Sequence, residues 1–139
     1  MKGEANGDQL RGITMQYRAA GNTELMSLLD SEEQQQSVVI SDPALADNPM
    51  IFVSEEFYAH TGYTPDEAIG RNCRFLQGPD TNPHTVEAIR NALKAETTFV
   101  IDIRNYRKDG TAFTNRLRIR PLFDNDGSLL YYVGAQNPV

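Results

Sequence analysis

Thr98-Phe99-Val100-Ile101-Asp102-Ile103-Arg104-Asn105-Tyr106-Arg107 and Phe113-Thr114-Asn115-Arg116-Leu117-Arg118-Ile119-Arg120-Pro121-Leu122 decide the fold. Both stretches alternate with period two, which is the mark of a strand with one buried face. Lys108-Asp109-Gly110-Thr111 turns between them, so the two strands are antiparallel neighbours. Arg116, Arg118 and Arg120 stand in a row on the second strand. Such a row faces water, so Leu117 and Ile119 face inward, and Asn115 goes with them. On the first strand Phe99, Ile101, Ile103 and Asn105 share the inner face.

A two-residue turn at Asp109-Gly110 would put the two asparagines on opposite faces. A three-residue loop with Gly110 in the left-handed region keeps both inside and sets Asn105 directly across from Asn115. Buried amides need partners, since each unsatisfied one costs roughly 1–3 kcal/mol. Either the two bond each other and water, or the edge of a flat polar ligand lies against them. A further strand, Leu129 to Gln136, follows the Asp124-Asn125-Asp126-Gly127 turn. Its Gln136 is in phase with Tyr132 and Gly134. A third inward amide favours the ligand, and a group that both donates and accepts suits a pyrimidine-like ring edge.

Upstream of the hairpin, Asn82-Pro83 opens a longer helix with Val86, Ile89 and Leu93 on one face. Thr64-Pro65-Asp66-Glu67 is a capping box, and Gly70 suits a left-handed helix end. Ser54 reads as the N-cap of a short helix that stops at Gly62. Val38-Val39-Ile40 and Met50-Ile51-Phe52-Val53 are strands, joined by the polar segment Ala44 to Pro49. Two strands, several short helices and three antiparallel strands make an α+β fold, with the helices over one face of a sheet.

Residues 1–37 differ. Leu10, Ile13 and Tyr17 recur at helical spacing, as do Leu25, Leu28 and Leu29 behind a cap at Asn22 or Thr23. One or two short amphipathic helices are expected here.

The 139 residues fit one domain, and 40% apolar content is enough for a real core. A net charge of −6 opposes nonspecific binding to nucleic acid or anionic membrane. No apolar run approaches a membrane span, and the polar N-terminus has no signal peptide, so the expected location is the cytoplasm. The single cysteine excludes an internal disulfide and a cysteine-built zinc site. No metal site is expected.

That cysteine lies in Gly70-Arg71-Asn72-Cys73-Arg74-Phe75-Leu76-Gln77-Gly78, a segment too polar for an ordinary core helix. A lone cysteine is more often an inert buried thiol than a reactive one. The segment, however, resembles the GRNCRFLQ signature of LOV (light-oxygen-voltage) domains, the flavin-binding photosensory branch of the PAS superfamily. Asp47-Asn48-Pro49, Asn105-Tyr106, Lys108-Asp109-Gly110 and Gly134-Ala135-Gln136 are similar to motifs that LOV domains carry at these places. The resemblance runs from about Val38 to the C-terminus. It implies a LOV domain over 38–139, with a five-stranded antiparallel sheet and short helices packed on one face; residues 1–37 lie outside the resemblance, and their helical spacing makes them an expected N-terminal helical cap.

The resemblance also implies a function. The chain is expected to be a blue-light photoreceptor and not an enzyme. It would hold flavin mononucleotide (FMN) noncovalently in the dark, with riboflavin or FAD as minor occupants. Cys73 would bond reversibly to flavin carbon C4a after excitation. Gln136 would change its hydrogen bonds at flavin N5, and this change would perturb the last strand. Asn105 and Asn115 match the residues that bond the pyrimidine side of the ring. Asn48, Asn72 and Gln77 match polar contacts, and Arg74 and Arg90 match the pair at the phosphate, where two guanidinium forks suit one phosphate. Val39, Leu76, Val86, Ile89, Leu117, Ile119 and Tyr132 would line the ring pocket. Three positions depart from the family's habit. Ser41 stands where threonine is frequent, Met50 where a branched aliphatic residue is, and Tyr132 where phenylalanine is.

The chain ends three residues after Gln136 and so resembles short LOV proteins without a fused output domain. A homodimer through the N-terminal helices and a further downstream protein partner are expected. Three rival readings are a PAS module that binds heme, with His60 and His84 as the available ligands, or a small metabolite, a flavin redox enzyme, and a ligand-free interaction module. No nicotinamide-binding glycine motif follows a strand, which opposes the enzyme. The inward amides oppose the ligand-free module.

Overall fold

The computed structural model of the chain describes residues 23–139. The helix expected around Leu10, Ile13 and Tyr17, and the cap at Asn22, lie outside the described residues. The chain opens with α1 (Thr23–Met26) and a 3-10 turn (Glu33–Gln35), then β1 (Ser37–Ser41) and β2 (Met50–Val53). Short helices α2 (Glu55–Thr61) and α3 (Pro65–Ala68), a 3-10 turn (Cys73–Leu76) and the longer α4 (Pro83–Lys94) follow. Strands β3 (Phe99–Tyr106), β4 (Ala112–Phe123) and β5 (Leu129–Pro138) end it. They form one sheet in the order β2-β1-β5-β4-β3, antiparallel throughout. Among the described residues no helix is long and apolar enough to cross a membrane.

Local signals set the helix ends. Thr64 and Glu67 cap α3 reciprocally: the Thr64 hydroxyl accepts from the Glu67 N–H, and the Glu67 carboxylate accepts from the Thr64 N–H at 2.9 Å. Gly62 ends α2 with φ of +84°, and its N–H donates to the Tyr58 carbonyl. Ser54 precedes α2 as expected, but its side chain does not cap it. The Ser54 hydroxyl instead accepts from the Val38 N–H at 2.9 Å and donates to the Gln36 carbonyl at 3.1 Å, pinning the start of β1.

The hairpin departs from the expected register. Its loop holds three residues, Lys108 to Gly110, closed by the Arg107 N–H to the Thr111 carbonyl. Gly110 takes the third loop position at φ +90°, the left-handed residue after a tight turn. The loop is therefore centred on Asp109. Asn105 pairs with Phe113, and Asn115 with Ile103. Both asparagines face inward, as diagonal neighbours and not directly across.

The sheet buries two cores. On the helix side Val39, Met50, Val53, Phe57, Ala68, Ile69 and Leu76 pack together. On the other side Val38, Ile40, Tyr131, Val133 and Ala135 are covered by Leu25 and Leu29. The arginine row is not uniformly bathed in water. Arg116 pairs with Asp102 at the surface, but Arg120 grips the buried Glu33 with both ends of its guanidinium, at 2.7 and 2.6 Å. Arg118 lies 3.6 Å from the same carboxylate. The segment before β1 thus lies over this face, held by apolar contacts and a forked ion pair.

Candidate functional site

Between the inner sheet face and α4 lies a cavity with about 760 Å3 of empty space, its mouth included. Val39, Ser41 and Met50 come from β1 and β2, and Asn105, Asn115, Leu117 and Ile119 from the hairpin. Tyr132 and Gln136 come from β5, Ile89 from α4, and Asn48, Asn72, Cys73, Arg74 and Gln77 from the connecting segments. The structure thus gathers most of the residues singled out by sequence.

Three of those residues lie elsewhere. Leu76 is buried in the core with Met50 and Phe57 and does not line the cavity. The 3-10 turn brings Cys73 to the cavity and Leu76 into the packing. Val86 is half-buried on α4 without reaching the cavity. Arg90 is exposed and paired with Glu87, its neighbour three residues back. Sequence reasoning in turn passed over Leu93, Ile103 and Gly134 as lining residues, although each is in phase with one that it named. At Gly134 a Cβ would lie 3.3 Å from Val39 Cγ2 and 3.7 Å from Leu117 Cδ1, so hydrogen there keeps the cavity floor open.

The amides divide into satisfied and unsatisfied. Asn115 donates through Nδ2 to Asn105 Oδ1 at 3.0 Å and accepts from the Asn137 N–H at 3.1 Å. Asn105 donates to its neighbour's carbonyl, that of Arg104, at 3.2 Å. Asn72 caps its own turn: Oδ1 accepts from the Arg74 N–H, and Nδ2 donates to the Asp47 carbonyl at 2.7 Å. Arg74 is paired with the Asp47 carboxylate. Gln136 is different. It is 2% exposed, and neither Oε1 nor Nε2 has a partner. Asn48 Oδ1 is buried without a partner as well, on a residue held at φ +48°.

Burial pushes the Cys73 thiol up to about 11, with no cation to offset it. Its sulfur is therefore a neutral S–H at physiological pH, and not a thiolate ready to attack unaided. Tyr132 lines the cavity, and its hydroxyl donates to the Leu93 carbonyl in the last turn of α4 at 2.6 Å.

Among the described residues no histidine lines the cavity. The His60 ring packs edge-on against Phe113, 4.5 Å between centroids, and His84 is exposed in the first turn of α4. The two histidines that the heme reading drew on thus both lie away from the cavity. No cluster of three or more acidic, histidine or cysteine side chains suited to a metal occurs among the described residues either.

Residues 35–137 match a family model described as a PAS domain. A blue-light-activated histidine kinase of Brucella anthropi is 52% identical over 99 residues, which are 71% of this chain and 20% of that protein. A blue-light photoreceptor of Listeria monocytogenes is 49% identical over 102 residues, 73% of this chain and 40% of that protein. The chain thus spans well under half the length of these relatives. A solved structure described under "Flavin Analogue Sheds Light on Light-Oxygen-Voltage Domain Mechanism" superposes with a TM-score of 0.77 at 43% identity, covering 86% of this chain and 87% of that one.

Proposed function

The chain belongs to the PAS domain family, in its LOV branch, and on that footing we propose that it senses blue light through FMN bound in the cavity beside Cys73. The observation that carries the reading is the Gln136 amide, buried on the cavity wall with both polar atoms unpartnered. Leaving a buried amide so costs roughly 1–3 kcal/mol, which a ligand with a polar edge recovers. The remaining walls fit a flavin as well. Val39, Met50, Leu117 and Ile119 offer an apolar bed on the sheet, and Ile89 and Leu93 face it from α4. Asn105 and Asn115 supply the polar end, and Asn48 holds a second unpartnered oxygen. Arg74 stands at the cavity to meet a phosphate, and Arg90 joins it only by releasing Glu87. Exposed pairs of that kind are worth at most about 1 kcal/mol, so the release is cheap.

When bound, the flavin supplies a ring that absorbs blue light and whose excited state takes up a thiol at carbon C4a. Cys73 would supply the sulfur for that carbon and the proton for ring nitrogen N5, so that the S–H bond and the C4a–N5 π bond would be exchanged for an S–C and an N–H bond with no outside reductant. Because the thiol is held neutral, the proton it must deliver is already on the sulfur. Gln136 would then face a donor at N5 in place of an acceptor, and could answer by turning its amide to present Oε1. Thermal reversal would return the proton to Cys73 and the amide to its first orientation. The chain acts here as a sensor module, with its signal leaving through β5 and the segments packed on it.

Cys73→Ala is the direct test. The purified variant is expected to keep its yellow flavin and lose all reversible bleaching under blue light. Reversible bleaching that persisted in this variant without a reducing agent would overturn the role of Cys73. A wild-type protein that purified colourless and took up no FMN would overturn the whole reading.

A homodimer through the N-terminal region belongs to the same proposal. Leu25 and Leu29 are committed to the chain's own sheet, so the contact would fall to other residues of the first 37. Sizing in dark and light tests it, and a strict monomer in both at high concentration removes it.

A further inference from the structure

The two arginines that would meet a ligand phosphate each hold a carboxylate already. Arg74 is paired with Asp47, and Arg90 with Glu87. Glu87 and Arg90 are exposed neighbours one turn apart on α4. Asp47 is set against its arginine more deliberately. Asp47 and Asn48 take successive left-handed conformations, with φ of +67° and +48°. Aspartate and asparagine enter that backbone region more readily than other side chains. The Asn72 amide then clips this turn to Arg74. Its Nδ2 donates to the Asp47 carbonyl at 2.7 Å, and its Oδ1 accepts from the Arg74 N–H at 2.9 Å. One side chain thus holds the backbones of acid and arginine together, and their charges meet beside the cavity that Asn48 and Arg74 line.

With both pairs formed, the charges at this end of the site cancel. A phosphate monoester brings a charge of about −1.5 to −2 at neutral pH. It must take the guanidinium from a resident carboxylate, on a chain whose net charge is already −6. A tail that ends in a hydroxyl brings no charge and leaves both pairs intact. We infer that Asp47 is a specificity-determining residue for the ligand's tail: its carboxylate competes with phosphate for Arg74 and so narrows the preference of the site for FMN over riboflavin. The inference rests on the flavin reading above and adds to it the group that sets the balance between phosphorylated and unphosphorylated flavins. An exposed ion pair shifts an equilibrium by at most about fivefold, so Asp47 moderates that preference without abolishing it.

The test is the composition of the bound flavin. Flavin-loaded protein is equilibrated with an excess of FMN and riboflavin in equal amounts and separated from the free pool, and the flavins it releases are quantified. Asp47→Asn and Asp47→Gly both remove the carboxylate and both accept the left-handed backbone. Each is expected to raise the ratio of bound FMN to bound riboflavin about fivefold over wild type. In an Arg74→Gln background nothing is left to compete for. There Asp47→Asn is expected to change the ratio by less than about twofold, the remainder of a repulsion screened by salt. A ratio that stays at the wild-type value or falls in both Asp47 variants overturns the inference. So does a full gain that persists without Arg74, which would mark a general effect of net charge. A wild type that holds neither flavin overturns the flavin reading and this inference together, whereas a flavin-loaded wild type whose ratio is indifferent to Asp47 overturns this inference alone.

Discussion

Asn115 and Asn105 are joined by a 3.0 Å side-chain hydrogen bond although the ladder pairs neither with the other. The diagonal leaves Asn115 Oδ1 free to take the Asn137 N–H, so one side chain bridges two strands. Asn115→Ala would strand the Asn137 N–H and remove a partner from Asn105. The expected cost is about 1–3 kcal/mol of stability together with weaker flavin retention. Urea unfolding and the ratio of flavin to protein absorbance measure the two, and an unchanged ratio would separate the pair from the ligand.

Gly134→Ala is expected to act on binding more than on folding. Its new Cβ would press on Val39 and fill the cavity floor, at a contact of 3.3 Å. One surplus methyl in a fitted pocket costs about tenfold in affinity. Titration of flavin-free protein with FMN is the measurement, and affinity equal to wild type would show that the ring lies elsewhere.

A neutral thiol makes a statement about pH. Burial holds Cys73 near 11, so its S–H population is constant through neutral and mildly alkaline conditions. Bleaching yield is expected to stay flat from about pH 6 to about pH 9. A reactive thiolate with the free value near 8.5 would instead raise the yield about tenfold per pH unit below that value. A rise of that kind in flash experiments would contradict the uncharged sulfur.

Glu33 predicts the opposite limb of the pH scale. Burial alone raises its carboxyl, but the Arg120 guanidinium and the Asp30 N–H bring it below its ordinary value. A group lowered in the folded state stabilises above its unfolded value, about 4.3, and loses that contribution as pH falls through the folded one. Glu33→Gln is expected to cost about 1.5–3 kcal/mol at neutral pH and to flatten the acid side of the stability curve. Unfolding midpoints at neutral and acid pH check both parts. A variant as acid-sensitive as wild type would assign that sensitivity elsewhere.

The particular residues show why some features were legible in the sequence and others not. Alternation is a local signal with a fixed period, so β3, β4 and the inward asparagines could be read directly. The diagonal between those asparagines could not, because a glycine fits either of two places in a three-residue loop and each slides the strands by two. Thr64 and Glu67 announce their capping box within four residues. Glu33 and Arg120 meet across 87 positions, and no pattern near either one marks the other. For the same reason the arginine row looked wholly exposed until the upstream segment was placed over it. Leu76 shows a third limit: a single 3-10 turn has no face long enough to read, so its cavity side cannot be told from its core side. Gly134 was legible in phase but silent in chemistry, since what it contributes is the absence of a side chain.

The bond from the Tyr132 hydroxyl to the Leu93 carbonyl ties the tail of α4 to the strand that carries Gln136. A ring held between helix and sheet leaves most directly by parting them, and this clasp must open first. On the proposed flavin reading, Tyr132 would govern how fast one flavin is traded for another in a pool of free cofactor, a property separate from how tightly either is held.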